Sequence, residues 1–229
     1  MSRPILEVIA LDELDARAAV LGGADRIELV TDMARWGTTP AAGTVRAVRA
    51  AVDVPVRVML READGFAAGD PRLLRERARE LLRAGAEEFV LGFLGPDGAV
   101  DLPAVEAVLE VLDGRPWTFH KAVDFAADRA AAWTAIGTLP GLDSVLSSGG
   151  PQGVEEGTPT LLAERAARAG TGPRLIAGGV LRERHVAPLR AGGIDAFHVG
   201  TRARPDGRWD RPVDPAAVRH WRDLLAAGS

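Results

Sequence analysis

GGADRIELV, running from Gly22 to Val30, is the stretch whose reading decides the fold. A glycine pair stops one helix, Asp25 turns the chain, and Arg26, Ile27, Glu28 and Leu29 then alternate charged with apolar side chains, as a strand with two different faces does. The same passage returns as AGAEEFVLG at Ala84 to Gly92 and as GGIDAFHVG at Gly192 to Gly200, so one βα unit repeats along the chain.

Counting outward from these passages gives eight short β-rich runs: Ile5 to Ala10, Arg26 to Val30, Val56 to Arg61, Glu88 to Phe93, Trp117 to Ala122, Ser144 to Ser147, Arg174 to Ala177 and Ala196 to Val199. Amphipathic runs between and after them read as helices at Leu11 to Leu21, Ala41 to Ala51, Pro71 to Ala84, Leu102 to Leu112, Ala127 to Thr138, Thr160 to Ala169, Arg182 to Arg190 and Pro215 to Ala226. Asp70-Pro71 and Asp214-Pro215 supply N-cap and first-turn signals. Gly22-Gly23, Gly85, Gly170 and Gly192-Gly193 supply helix stops.

Eight βα units can close into a barrel or open into a doubly wound sheet. Central strands of the open form are covered on both faces and read as nearly continuous apolar runs. Here Glu7 sits between Leu6 and Val8, and Val56, Val58 and Leu60 interleave with Arg57, Met59 and Arg61. One polar face per strand fits a barrel interior, so the expectation is an α/β (β/α)₈ TIM barrel with a single domain over residues 1–229.

Composition agrees and narrows the function. The chain is 47% hydrophobic and 26% charged, with a net charge of −4 and scattered basic residues, which offers no footprint for nucleic acid or an anionic membrane. MSRPILEVIA lacks a long apolar signal core, and no run approaches a membrane span, so a soluble cytosolic protein is expected. There are no cysteines, which removes thiolate metal sites and thiol nucleophiles. Walker A, G-x-G-x-x-G, G-x-S-x-G and H-E-x-x-H motifs are all missing from the sequence.

The polar residues at strand ends are the candidate site, because barrel chemistry collects at the C-terminal mouth. Glu7, Arg26, Glu28, Arg57 and Arg61 share the inward parity; Arg26, at a strand start, suits an ion-pair plug, while Glu28 and Arg61 suit ligand contact. Thr118 and His120 point inward on the fifth strand, with Asp124 just beyond; His120 reads as an acid/base group and Asp124 as its partner. Lys121, the only lysine, falls on the outward parity and is expected to pair with Asp124. His198 repeats the inward position on the last strand, so His120 and His198 could meet across the mouth and, with Glu28 or Asp124, hold a divalent metal. His185 and His220 fall on outer helices and are expected in solvent. Gly178, Gly179 and Gly200 follow strands seven and eight, the loops from which barrels build anion sites, and Ser147 adds a hydroxyl.

LEV at Leu6, GGADRIEL at Gly22, GTTP at Gly37, VPVRVMLR at Val54, TFHKAVD at Thr118, LSSG at Leu146, AGGV at Ala177 and FH at Phe197 together resemble the CutC family of copper homeostasis proteins, over essentially the whole chain. The resemblance implies a barrel fold, a cytosolic location, self-association as a homo-oligomer such as a dimer, and a role in copper binding and trafficking. It also implies one pocket around Glu7, Arg26, Glu28, Arg61, His120, Asp124, Ser147 and His198. Val30 and Phe125 stand where relatives often carry cysteine, and Lys121 where arginine is usual. Cu(I) favours sulfur ligands, and beyond the initiator only Met33 and Met59 supply any.

Two classes of function follow. In one, the protein binds copper or another divalent metal through histidine and carboxylate groups. In the other, it is a barrel enzyme acting on a small anionic or phosphorylated molecule: Gly178, Gly179 and Gly200 hold the anion, Arg61 pairs with a carboxylate, and His120 with Glu28 moves protons.

Overall fold

Eight parallel strands close on themselves in chain order, with the first hydrogen-bonded to the last. The computed structural model describes residues 3–168 and 172–227. The strands are β1 (Ile5–Ala10), β2 (Arg26–Leu29), β3 (Val56–Met59), β4 (Glu88–Leu91), β5 (Trp117–Phe119), β6 (Leu142–Ser147), β7 (Arg174–Ala177) and β8 (Ala196–Val199). The helices are α1 (Glu13–Gly22), α2 (Ala42–Ala51), α3 (Pro71–Arg83), α4 (Leu102–Leu112), α5 (Arg129–Ile136), α6 (Val154–Ala167), α7 (Glu183–Ala191) and α8 (Pro215–Ala227). This is the (β/α)₈ TIM barrel expected from the alternation.

Local chemistry fixes the helix ends. Asp70 accepts a hydrogen bond from the Arg72 amide at 2.8 Å and Asp214 one from the Ala216 amide at 2.8 Å, so both Asp-Pro pairs act as helix starts. Gly23 closes α1 in the left-handed region, at φ 98°. The expected stop at Gly170, and Ala169 before it, lie outside the described residues.

The structure differs from expectation at the start of α6, at the ends of β3, β4 and β5, and at His185. Helix α6 begins at Val154 and runs through Pro159, although the proline suggests a later start at Thr160. Strands β3, β4 and β5 end two or three residues early; beyond β3 and β5, Arg61 and His120 line the mouth, while Phe93 beyond β4 packs in the apolar core. His185 is buried rather than solvated: its Nδ1 accepts from the Arg182 amide at 3.1 Å and its Nε2 lies 2.8 Å from Glu155. His220 is exposed, as expected, beside Glu183.

The register sets the interior. Glu7 stands beside Arg26 on β2 and beside His198 on β8, and Glu28 stands beside Arg57 on β3. Leu6, Val8, Ile27, Leu29, Val56 and Val58 take the opposite parity and are buried in the main apolar core. Each such side chain stabilises the fold by about 1.5–3 kcal/mol. The interior face carries the polar groups, which must satisfy one another, alongside two small apolar clusters that include Ile9, Met59 and Val90 and, separately, Leu146 and Ile176.

Candidate functional site

The deepest polar layer is an ion-pair plug. Arg26 Nε meets Glu7 Oε2 at 2.5 Å, and Arg57 meets Glu88 at 3.0 Å, Asp143 at 2.6 Å and Thr118 Oγ1 at 2.5 Å. Arg26 also lines a cleft at the N-terminal ends of the strands, together with Asp143, Arg174 and Asp195. It is therefore placed away from the mouth, in the plug position its strand start suggests and not among the ligand-contacting residues where the family resemblance puts it.

Above this layer stands His198. Its Nδ1 lies 2.7 Å from Glu7 Oε1, and its Nε2 lies 3.6 Å from Glu28 Oε2, an ion-pair separation longer than a hydrogen bond. Since the Glu7 carboxylate can only accept, Nδ1 carries the proton and Nε2 is the working nitrogen. Burial alone would raise Glu7, but Arg26 and the hydrogen bond from His198 outweigh it and hold the carboxyl well below the usual range. Glu28 has no such bond: burial raises it to about 7, and the Glu7 charge pushes the same way. Burial would lower His198, but the two glutamates prevail and raise it. The result is a carboxyl raised to about 7 beside an imidazole whose pKa is also raised.

His120 follows β5 and takes a different role from the one expected. Its Nδ1 accepts the Ala122 amide at 3.2 Å, its ring packs 5.6 Å from Phe66 and 6.2 Å from Phe119, and its Nε2 is buried with no partner among the described residues. Burial, with the nearby Arg61 charge, lowers its pKa to about 3. The ring is thus a fixed neutral imidazole with the hydrogen on Nε2, unsuited to proton exchange at neutral pH. Gly92 makes this seat possible, since a Cβ there would stand 2.8 Å from His120 Nδ1.

Asp124 does not serve His120. It lies in a 3₁₀ segment, Lys121–Phe125, with its carboxylate fully buried. Oδ1 accepts from Ser147 Oγ at 2.6 Å and Arg129 Nη1 at 2.9 Å; Oδ2 accepts from the Ser148 amide at 2.8 Å and Ser148 Oγ at 2.7 Å. Asp124 and Ser147 therefore lock the loop after β5 onto the end of β6. Arg129, at the start of α5, completes the lock, and nothing in sequence spacing singled it out.

The mouth is a cavity of about 670 Å³. Glu28, Arg61, His120, Lys121, Gly179, His198 and Gly200 all line it. Lys121 pairs with Asp124 at 3.6 Å as expected, but it faces the mouth, donating to Ser148 Oγ at 2.9 Å beside Gly179. Burial lowers its pKa. Arg61 donates to the carbonyls of Gly65 at 2.8 Å, Arg35 at 2.7 Å and Gly37 at 2.8 Å, so most of its guanidinium braces two loops. The Gly178 amide donates to Ser147 C=O at 3.0 Å, which extends the β6–β7 ladder and removes that amide from anion binding. What Gly178 provides is space: a Cβ would lie 2.9 Å from His198 Cβ.

Sequence reasoning missed the apolar wall. Trp36, Phe66 and Phe125 come from three loops and converge in the cavity, with ring centroids 4.9 Å apart for Phe66–Phe125 and 5.8 Å for Trp36–Phe125. None belongs to a strand, so strand parity could not find them. Their shared aromatic character was the one available signal.

The expected two-histidine metal set does not assemble. The group that could surround a cation among the described residues is Glu7, Glu28 and His198, with ligand atoms within 4.8 Å of one another. Glu7 is already engaged by Arg26 and His198 Nδ1, which leaves His198 Nε2 and Glu28. Two free donors are fewer than the three or four protein ligands that a resident metal ordinarily takes.

Known proteins resemble the chain throughout. A CutC family protein from Xanthomonas campestris pv. campestris is 36% identical over 201 residues, covering 86% of this chain and 83% of that protein. The human copper homeostasis protein cutC homolog is 31% identical over 207 residues, covering 88% and 75%. In fold, the chain matches the crystal structure of a copper homeostasis protein CutC from Streptococcus agalactiae with a TM-score of 0.76 at 24% identity, covering 86% of this chain and 98% of that one. With the sequence profile of the CutC family matching residues 5–203, this chain belongs to the CutC family.

Proposed function

We propose that the protein shares the copper-homeostasis-related role for which its human relative is named, and that the chemistry of its mouth is proton transfer on a small anionic metabolite. The observation that carries the second part is the 2.7 Å contact between Glu7 and His198 Nδ1, which aims Nε2 at Glu28 on the cavity lining. A carboxylate-oriented imidazole beside a carboxyl poised near 7 is an acid/base arrangement: Glu28 takes a proton from carbon or oxygen, and His198 returns one. Lys121 supplies positive charge at the same mouth, and Gly179 and Gly200 keep the loops after β7 and β8 close to it.

Direct copper binding is a second reading, favoured by the presence of Met33 and Met59 with His198 on the same cavity. Two assays separate the readings. Deuterium incorporation from D₂O into small oxo acids, lost in Glu28→Gln, supports proton transfer; copper binding tighter than about micromolar, lost in His198→Ala, supports direct copper handling.

A further inference from the structure

His120 carries chemistry that the Glu28–His198 pair does not use. Its Nδ1 accepts the Ala122 amide, so the ring hydrogen sits on Nε2, and that atom is buried with no partner among the described residues. A buried donor without an acceptor is destabilising, and such groups are kept where a ligand completes them. The ring is 4% exposed, lines the mouth and touches the aromatic wall, with Phe66 at 5.6 Å and Phe125 a further 4.9 Å beyond Phe66. Trp36 extends that wall outward, 62% exposed at the rim.

We propose that His120 is a neutral hydrogen-bond donor to a carbonyl oxygen, and that the ligand at this mouth is an oxo acid whose carbonyl is joined through a CH2 group to an aromatic or similarly planar group lying on Trp36, Phe66 and Phe125. A neutral imidazole N–H polarises a carbonyl without first giving up its own proton, and flat aromatic faces select flat ligands through offset stacking. Nε2 is buried in this structure, so the lining around it must shift for the carbonyl to reach it. The proposal rests on the reading of the mouth as a proton-transfer site. In the step it implies, Glu28 removes a proton from the carbon beside the carbonyl. The C–H pair forms the C=C bond, and the carbonyl π pair moves to the oxygen held by His120. Return of a proton from the pair to the same carbon regenerates the ketone.

Phenylpyruvate and 2-oxobutyrate are the probes, differing in the aromatic ring. Long-range ¹H–¹⁵N spectra of the full chain, recorded between about pH 5 and 8, are expected to show His120 as the Nε2–H tautomer throughout. Phenylpyruvate is expected to shift the Nε2 resonance, and 2-oxobutyrate to need at least about tenfold higher concentration for the same shift. Phe125→Ala is expected to erase the tenfold preference while leaving the His120 tautomer unchanged. A His120 that protonates within that pH range, an Nε2 resonance that neither compound moves, or equal affinity for both compounds overturns the proposal. Deuterium exchange measured on the same samples reports separately on the proton-transfer reading. Binding with the ring preference but no exchange sinks that reading and leaves the donor role of His120; exchange without ring preference does the reverse.

Discussion

Glu7 Oε1 lies 2.7 Å from His198 Nδ1, joining side chains 191 positions apart at the seam where the first and last strands meet. That bond fixes the tautomer of His198, and the other oxygen of Glu7 neutralises Arg26 at 2.5 Å. One carboxylate thus serves both barrel closure and the orientation of the mouth.

Removing it takes from Arg26 its carboxylate and from His198 Nδ1 its acceptor, both in the buried interior. Glu7→Ala is expected to destabilise the protein by about 3–5 kcal/mol, read from urea denaturation. A loss below about 1 kcal/mol would mean that the plug contributes little to barrel closure.

Glu28 sets a pH dependence of opposite sign to an ordinary salt-bridged acid. Its folded pKa is raised from 4.5 to about 7, so the folded state holds a proton that the unfolded chain releases. Stability is therefore highest, for this group, below about pH 4.5 and declines as pH rises through about 7. The raised His198 adds a loss in the same direction. Glu28→Gln is expected to flatten the decline between those limits in denaturation curves across a pH series. An unchanged slope in that variant would assign the dependence elsewhere.

Gly92→Ala tests the seat of His120. The added Cβ would stand 2.8 Å from Nδ1 and 3.3 Å from the Phe119 ring, so the imidazole must move and its bond to the Ala122 amide must break. A loss of about 1–3 kcal/mol is expected, with His120 beginning to titrate in ¹⁵N spectra. A silent substitution would contradict the tight seat.

Copper titration should find no site tighter than about micromolar, because the clustered donors reduce to His198 Nε2 and Glu28 in a chain without cysteine. Nanomolar binding that Met33→Leu or Met59→Leu weakens would instead establish a sulfur-assisted copper site in the mouth.

The barrel was legible because its strands alternate: Glu7, Arg26, Glu28 and Arg57 on one parity specify a polar interior that few other architectures provide. The inward places of Glu28 and His198 followed from the same rule, while the plug position of Arg26 followed from its place at a strand start. Parity fails where strands end. Lys121 looked outward as a strand residue but turns into the mouth because Lys121–Phe125 is a 3₁₀ segment. Asp124 looked like a partner for His120, yet Ser147, Ser148 and Arg129 saturate it through contacts 23, 24 and 5 positions away that no local pattern announces. The partners of His198 likewise depend on closure of the barrel, which brings β8 against β1.

The claim that the mouth moves protons is tested most directly by solvent exchange. Oxo acids incubated in D₂O with wild-type protein should gain deuterium beside the carbonyl faster than in buffer, and folded Glu28→Gln and His198→Gln variants should lose about 10²-fold or more of that rate. Wild-type exchange no faster than buffer across the oxo acids, or full rates in both variants, would contradict the account.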